Sequence, residues 1–163
     1  MWSGHLLLAQ CQPDETEVRL IIETDTYGYE TYWSIVPDGN GCNASPIASG
    51  GNTTQVGCIG GGQQDATTVY GYGNNTTVNA GPWCLKTGLT YTLYHVDDYG
   101  DGGAKFTVMI GDYPVYQFES LGNGDKNNFT VTLPLDYNAA LLKIGTYGFN
   151  DLKPTAIRGQ IFN

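Results

Sequence analysis

"GLTYTLYHVDDYGDGGAKFTVMI", residues 88–110, sets two stretches of alternating apolar and polar side chains on either side of a turn crowded with Asp and Gly. Leu89, Tyr91, Leu93 and His95 share one side of an extended chain, the two-residue period of a strand with a single buried face. The fold class follows from how far this pattern extends.

It extends upstream and downstream. "TEVRLIIET", 16–24, alternates Val18, Leu20 and Ile22 against Arg19 and Glu23, and "TYWSIVP", 31–37, reads as a second strand ended by Pro37 and "DGNG". "AKFTVMIGDYPVYQFE" reads as two strands turning at "GDYP", and "NNFTVTLPL" as another after "GNGD". Residues 38–82 are Gly-rich and polar, which predicts a loop-dominated stretch with short β-like pieces near 54–59 and 67–72. No twelve-residue window carries a helical stripe. Seven or eight strands with regular turn signals predict an all-β protein, an antiparallel β-sandwich or jelly roll. The module is expected over 16–135, with an N-terminal extension over 1–15 and a C-terminal extension or added strand over 136–163.

Composition agrees. Of 163 residues, 23 are Gly and 12 are Tyr, a strand-and-turn profile. Sixteen acidic against seven basic residues give a net charge of −9. A phosphate-binding surface needs clustered Lys and Arg, so a nucleic-acid partner is not expected, and no apolar run approaches the roughly 20 residues of a membrane span. "MWSGHLLLAQCQ", 1–12, lacks the basic flank and full apolar region of an intact signal peptide and is read as a strand.

The four cysteines, Cys11, Cys42, Cys58 and Cys84, contain no C-x-x-C and lie far from both histidines, which argues for two disulfides over zinc. Of three possible pairings, Cys42 with Cys58 closes a Gly- and Asn-rich loop where a staple most restricts the unfolded chain; Cys11 then pairs with Cys84. Sequons occur at Asn43, Asn52, Asn74, Asn75 and Asn128. Cysteines, sequons and acidity together predict a secreted, extracellular glycoprotein.

The acidic turn has an echo. "ETDTYGYETYW", 23–33, and "HVDDYGDGGAKF", 95–106, both place D-x-Y-G after an apolar strand, and a weaker "GTYGFND" recurs at 145–151. One Asp, an aromatic and a Gly satisfy a turn. Asp97, Asp98 and Asp101 exceed that need; carboxylates so close repel unless protonated or bridged, and with Asp25 of the first loop they form a candidate site for Ca²⁺. It is not an EF-hand loop, since Tyr99 and Val108 stand where that motif requires ligands.

The pair T-D-x-Y-G-x-E-T-x-W and D-x-Y-G-D-G, in "TDTYGYETYW" and "CLKTGLTYTLYHVDDYGDGG", resembles small secreted β-sandwich modules of extracellular surface proteins and of segments beside secreted proteases. The resemblance spans roughly residues 16–133 and implies a jelly-roll-like, non-catalytic module serving adhesion, carbohydrate binding or assembly. The Cys pair often found after such a loop is missing.

Enzyme signatures are absent: there is no G-x-S-x-G and no H-E-x-x-H. His95 is expected to be packed on the inner face of its strand, and Glu30 with Asp97 or Asp101 makes a carboxylate pair only where the two D-x-Y-G loops meet at one end. The expectation is a non-enzymatic structural protein. It is the repeating subunit of a glycosylated surface filament or layer, self-associating by strand addition through residues 1–12 or 140–163. The alternative is a calcium-dependent, lectin-like module. Its exposed tyrosines would then stack on glycans, and a planar row of three would mark it.

Overall fold

The computed structural model describes residues 11–132. Within them the chain forms eight strands: β1 (Glu15–Glu23), β2 (Thr31–Pro37), β3 (Ala48–Gly51), β4 (Thr77–Lys86), β5 (Thr90–Asp97), β6 (Gly102–Ile110), β7 (Tyr113–Leu121) and β8 (Gly124–Thr130). The only helical piece among the described residues is a single 3-10 turn at Gly28–Glu30. All pairings are antiparallel, in two four-stranded sheets ordered β4-β1-β6-β7 and β3-β2-β5-β8. The all-β expectation holds.

The alternation in the sequence becomes the alternation of burial. Val18, Leu20 and Ile22 of β1 and Phe106, Val108 and Ile110 of β6 turn to one side. There they join Trp33 and Ile35 of β2, Leu93 of β5 and Phe129 of β8 in one apolar cluster, so the two sheets share a core. Each fully buried side chain of this size contributes about 1.5–3 kcal/mol. His95 is 1 % exposed, and its ring stacks on Phe106 from the other sheet at 5.2 Å. Its Nε2 lies 2.8 Å from Asn127 Oδ1. Burial pulls the imidazole below its ordinary pKa, against the opposing effects of Asn127 and Asp125. The histidine is therefore a packed residue, as its position in the strand predicts. Leu89, which shares that periodicity, precedes β5 and is 54 % exposed.

Two strands fall where the sequence predicts loop. β3 and β4 occupy 48–51 and 77–86, whereas 54–59 and 67–72, read as β-like, are turns and irregular chain. β4 hides its identity because Gly81 and Pro82 interrupt it. Val18 pairs with Trp83 and Leu20 with Ala80, so these two residues bulge opposite Arg19. β4 is a sheet edge, where a proline costs no ladder bond. β8 begins earlier than "NNFTVTLPL" suggests, because Gly122 and Asn123 alone make the turn after β7.

Cys11 is bonded to Cys84 and Cys42 to Cys58, the pairing expected from the sequence. The second bridge lies on the outward face of β2, with Cys42 Sγ 3.6 Å from Ser34 Oγ and Cys58 Sγ 3.7 Å from the Tyr32 hydroxyl. Residues 31–36 are consequently buried on both faces. The segments expected to add strands lie outside the described residues, apart from 11–12, as does "GTYGFND".

Candidate functional site

The register of β2 and β5 brings the two D-x-Y-G loops together. Thr31 pairs with Asp97, so the loop that precedes β2 and the loop that follows β5 leave the same end of the sheet. The first loop arrives from β1 and the second departs to β6, whose paired ends meet at Glu23 and Lys105. Two connections between the sheets thus run side by side. The Asp98 amide donates to the Glu30 carbonyl at 3.1 Å, fastening one loop to the other.

Here Glu30, Asp97 and Asp101 converge, each offering an oxygen within 4.8 Å of the others'. Asp97 ends β5 as a turn-forming acid: its Oδ1 accepts the amides of Gly100 at 2.6 Å and Asp101 at 3.2 Å. Gly100 has φ +92°, a left-handed conformation that glycine adopts without strain, and this lets the chain reverse and carry Asp101 back over Asp97. Gly103 has φ +112°, and a Cβ there would run into Asp25 Oδ2, so only glycine lets the second loop lie against the first.

Electrostatics mark Glu30 as the strained member. Its side chain is 8 % exposed, and Oε2 is buried with no hydrogen-bond partner. Burial, reinforced by Asp97, Asp101, Asp25 and Asp98, pushes its carboxyl from the ordinary 4.5 up to about 7. Burial also raises Asp97, partly offset by the amides of Gly100 and Gly102 and assisted by Asp101. Among the described residues, the ion pairs link Arg19 to Glu17 and Asp112, and Lys86 to Asp14 and Glu15. None reaches this corner.

The membership differs from the sequence reading. Asp97 and Asp101 belong, but Asp98 does not: it is 1 % exposed, its Oδ2 accepts the Ala66 amide at 2.8 Å, and it braces the 60s loop. Successive residues leaving a strand point to opposite sides, so Asp97 and Asp98 do not share a ligand. Asp25 caps its own turn by accepting the Tyr27 amide at 2.8 Å. Glu30, read from the sequence only as a partner in a carboxylate pair, takes the place of both.

The acidic corner opens on a cleft of about 520 Å³ lined by Tyr27, Tyr29, Glu30, Tyr99 and Asp101. Tyr27 and Tyr99 are 46 % and 55 % exposed. Tyr27 and Tyr29 meet edge to face, at 6.2 Å and 87°, so no planar row of three rings forms. Of the other tyrosines, Tyr32 and Tyr91 are buried, and the Tyr72 hydroxyl accepts from Trp33 Nε1 at 2.9 Å.

The sequons separate into two groups. Asn43, Asn74, Asn75 and Asn128 are exposed. Asn52 is fully buried; its Nδ2 donates to the Tyr29 carbonyl and its Oδ1 accepts the Gln55 amide, both at 2.9 Å. Its carboxamide is a bracket beneath the first loop, and its burial sets it apart from the four exposed sequons.

Set against models of known protein families, curated proteins and solved structures, the chain finds no match.

Proposed function

We propose that the protein is a secreted, non-enzymatic recognition module that binds carbohydrate at the tyrosine-lined end of a jelly-roll-like β-sandwich. The reading is carried by one observation: three tyrosines and two carboxylates share a single cleft at the end where the two sheets are joined. A sugar presents both apolar C–H faces, which suit exposed phenol rings, and hydroxyls, which suit carboxylates. The sandwich reading is supported by strand order. Numbering from β3 and closing the chain on itself turns both sheet orders into those of a jelly roll. Two disulfides and four exposed sequons fit an oxidising, glycosylating route.

Catalysis is disfavoured by the same geometry. One oxygen from each of the three acidic side chains lies within 4.8 Å of the others', so the carboxylates gather round one point as the ligands of a single centre do, whereas the pair in a glycosidase flanks a scissile bond. Glu30, whose carboxyl burial pushes up to about 7, is withdrawn from solvent. The test is retention of monomeric protein on a panel of immobilised polysaccharides. Tyr27→Ala with Tyr99→Ala should abolish retention without unfolding, since both side chains are substantially exposed. Retention unchanged in that double variant, or absent on every polysaccharide, refutes the reading.

A second reading, the filament or layer subunit, is favoured by a different observation. β7 is a sheet edge nine residues long, and its outward Tyr113, Val115 and Leu121 are 56 %, 42 % and 70 % exposed. Such an edge is a template for an added strand. Concentration-dependent association that Val115→Lys suppresses would support it, and a monomer at all concentrations would refute it.

A further inference from the structure

The acidic corner is unbalanced in a way that a turn does not require. Two of its three carboxylates, Glu30 and Asp97, are 8 % and 4 % exposed, no ion pair among the described residues neutralises them, and Glu30, whose carboxylate joins the cluster, has its Oε2 buried with no hydrogen-bond partner. A buried anionic oxygen without a partner costs on the order of several kcal/mol unless something compensates its charge.

We propose that Glu30, Asp97 and Asp101 are the protein ligands of a divalent cation, calcium by preference, bound where the two inter-sheet loops touch. Oxygens within 4.8 Å of one another surround an ion with ligand distances of about 2.3–2.6 Å. The donor set consists of hard carboxylate oxygens. The cysteines are all bridged and His95 is stacked in the core, so a zinc or copper site is not formed here. One protein side of the shell is fixed by β5 and its turn, the other by the 3-10 turn before β2. The remaining positions face the tyrosine cleft, where water or a ligand hydroxyl completes the six to eight oxygens calcium takes. Asp98, one residue from Asp97, takes no part: it offers no oxygen to the point where the other three converge, and its Oδ2 accepts the Ala66 amide. The inference stands apart from the carbohydrate reading, because the metal alone reads it out.

The experiment uses terbium as a luminescent calcium surrogate, excited through the tyrosines of the cleft, together with calorimetric titration of calcium into chelator-treated protein. Saturable terbium emission with a stoichiometry of one, displaced by calcium, is expected. Glu30→Gln and Asp101→Asn should each weaken binding at least about tenfold, while Asp98→Asn, which keeps a carbonyl oxygen to accept the Ala66 amide in place of Oδ2, should bind within about twofold of wild type. Near-UV circular dichroism confirms that each variant is folded. Absence of saturable emission and heat in the wild type, equal affinity in Glu30→Gln, or loss of binding in folded Asp98→Asn would each overturn the proposal. Cation binding without polysaccharide retention would leave this site standing and remove the proposed ligand.

Discussion

Replacing Glu30 by glutamine should stabilise the metal-free protein at neutral and alkaline pH and leave it unchanged in acid. Glu30 has a folded pKa of about 7 against an ordinary 4.5, so the fold favours its protonated form. Below pH 4.5 both states hold the proton and no penalty exists. As pH rises from there, the unfolded chain releases its proton first, and stability falls until the folded pKa is passed near 7. Each unit of difference is worth about 1.4 kcal/mol, so above pH 7 the wild type carries a penalty of about 3 kcal/mol, an upper figure because burial is not complete. Glutamine is nearly isosteric and bears no charge. In chelator the variant should therefore melt roughly 6–12 °C above the wild type at pH 8 and within a degree or two of it at pH 4. The comparison must be the difference between the two proteins, because His95, whose folded pKa is lowered, acts in the opposite sense and loses stability as pH falls below 6.5. Added calcium should narrow the gap at pH 8, since the wild type gains more binding free energy than the variant. Thermal unfolding at the two pH values decides the matter. A variant no more stable than wild type at pH 8 in chelator, or a difference that does not change with pH, would refute the assignment of a buried, uncompensated charge to Glu30.

Three other outcomes are expected. Phe106→Ala removes a fully buried ring stacked on His95 and should cost about 3–5 kcal/mol, measured by denaturant unfolding. Converting Cys42 and Cys58 both to Ser opens a loop of sequence separation 16 and should cost about 3 kcal/mol, with faster proteolysis in 43–66 than elsewhere. Asn52→Ala should destabilise by about 2–4 kcal/mol, because it strands the Tyr29 carbonyl and the Gln55 amide. Peptide mapping of protein made in a glycosylating host should correspondingly find Asn52 bare and sugar confined to exposed asparagines.

Where local pattern and final environment coincide, the sequence was readable. β1 follows its alternating stretch because a half-buried strand writes its two faces into alternate positions, and β2, buried on both faces, was marked by its apolar run and the Pro37 and turn residues that end it. β4 was not readable: a bulge at Gly81 and Pro82 breaks its period, and as an edge strand it buries little beyond Leu85. The acidic corner was legible in part for a similar reason. Two aspartates and their glycines sit in one loop and advertise themselves. The third ligand comes from a residue 67 positions before Asp97 (97 − 30), delivered by the β2–β5 register, which no local motif encodes. The pleat alone would have separated Asp97 from Asp98. The burial of Asn52 was not legible, because a three-residue motif carries no information about it.

The chain enters the described body through β1, in one sheet, and its last described strand, β8, lies in the other. Both flanks nevertheless leave at one end, where the Thr87 amide donates to the Asp14 carbonyl and the Gly88 amide to the Val131 carbonyl, opposite the end that holds Thr31 and Asp97. Whatever is joined to this body through either flank therefore sits behind it, and the tyrosine cleft is presented outward, clear of the attachment.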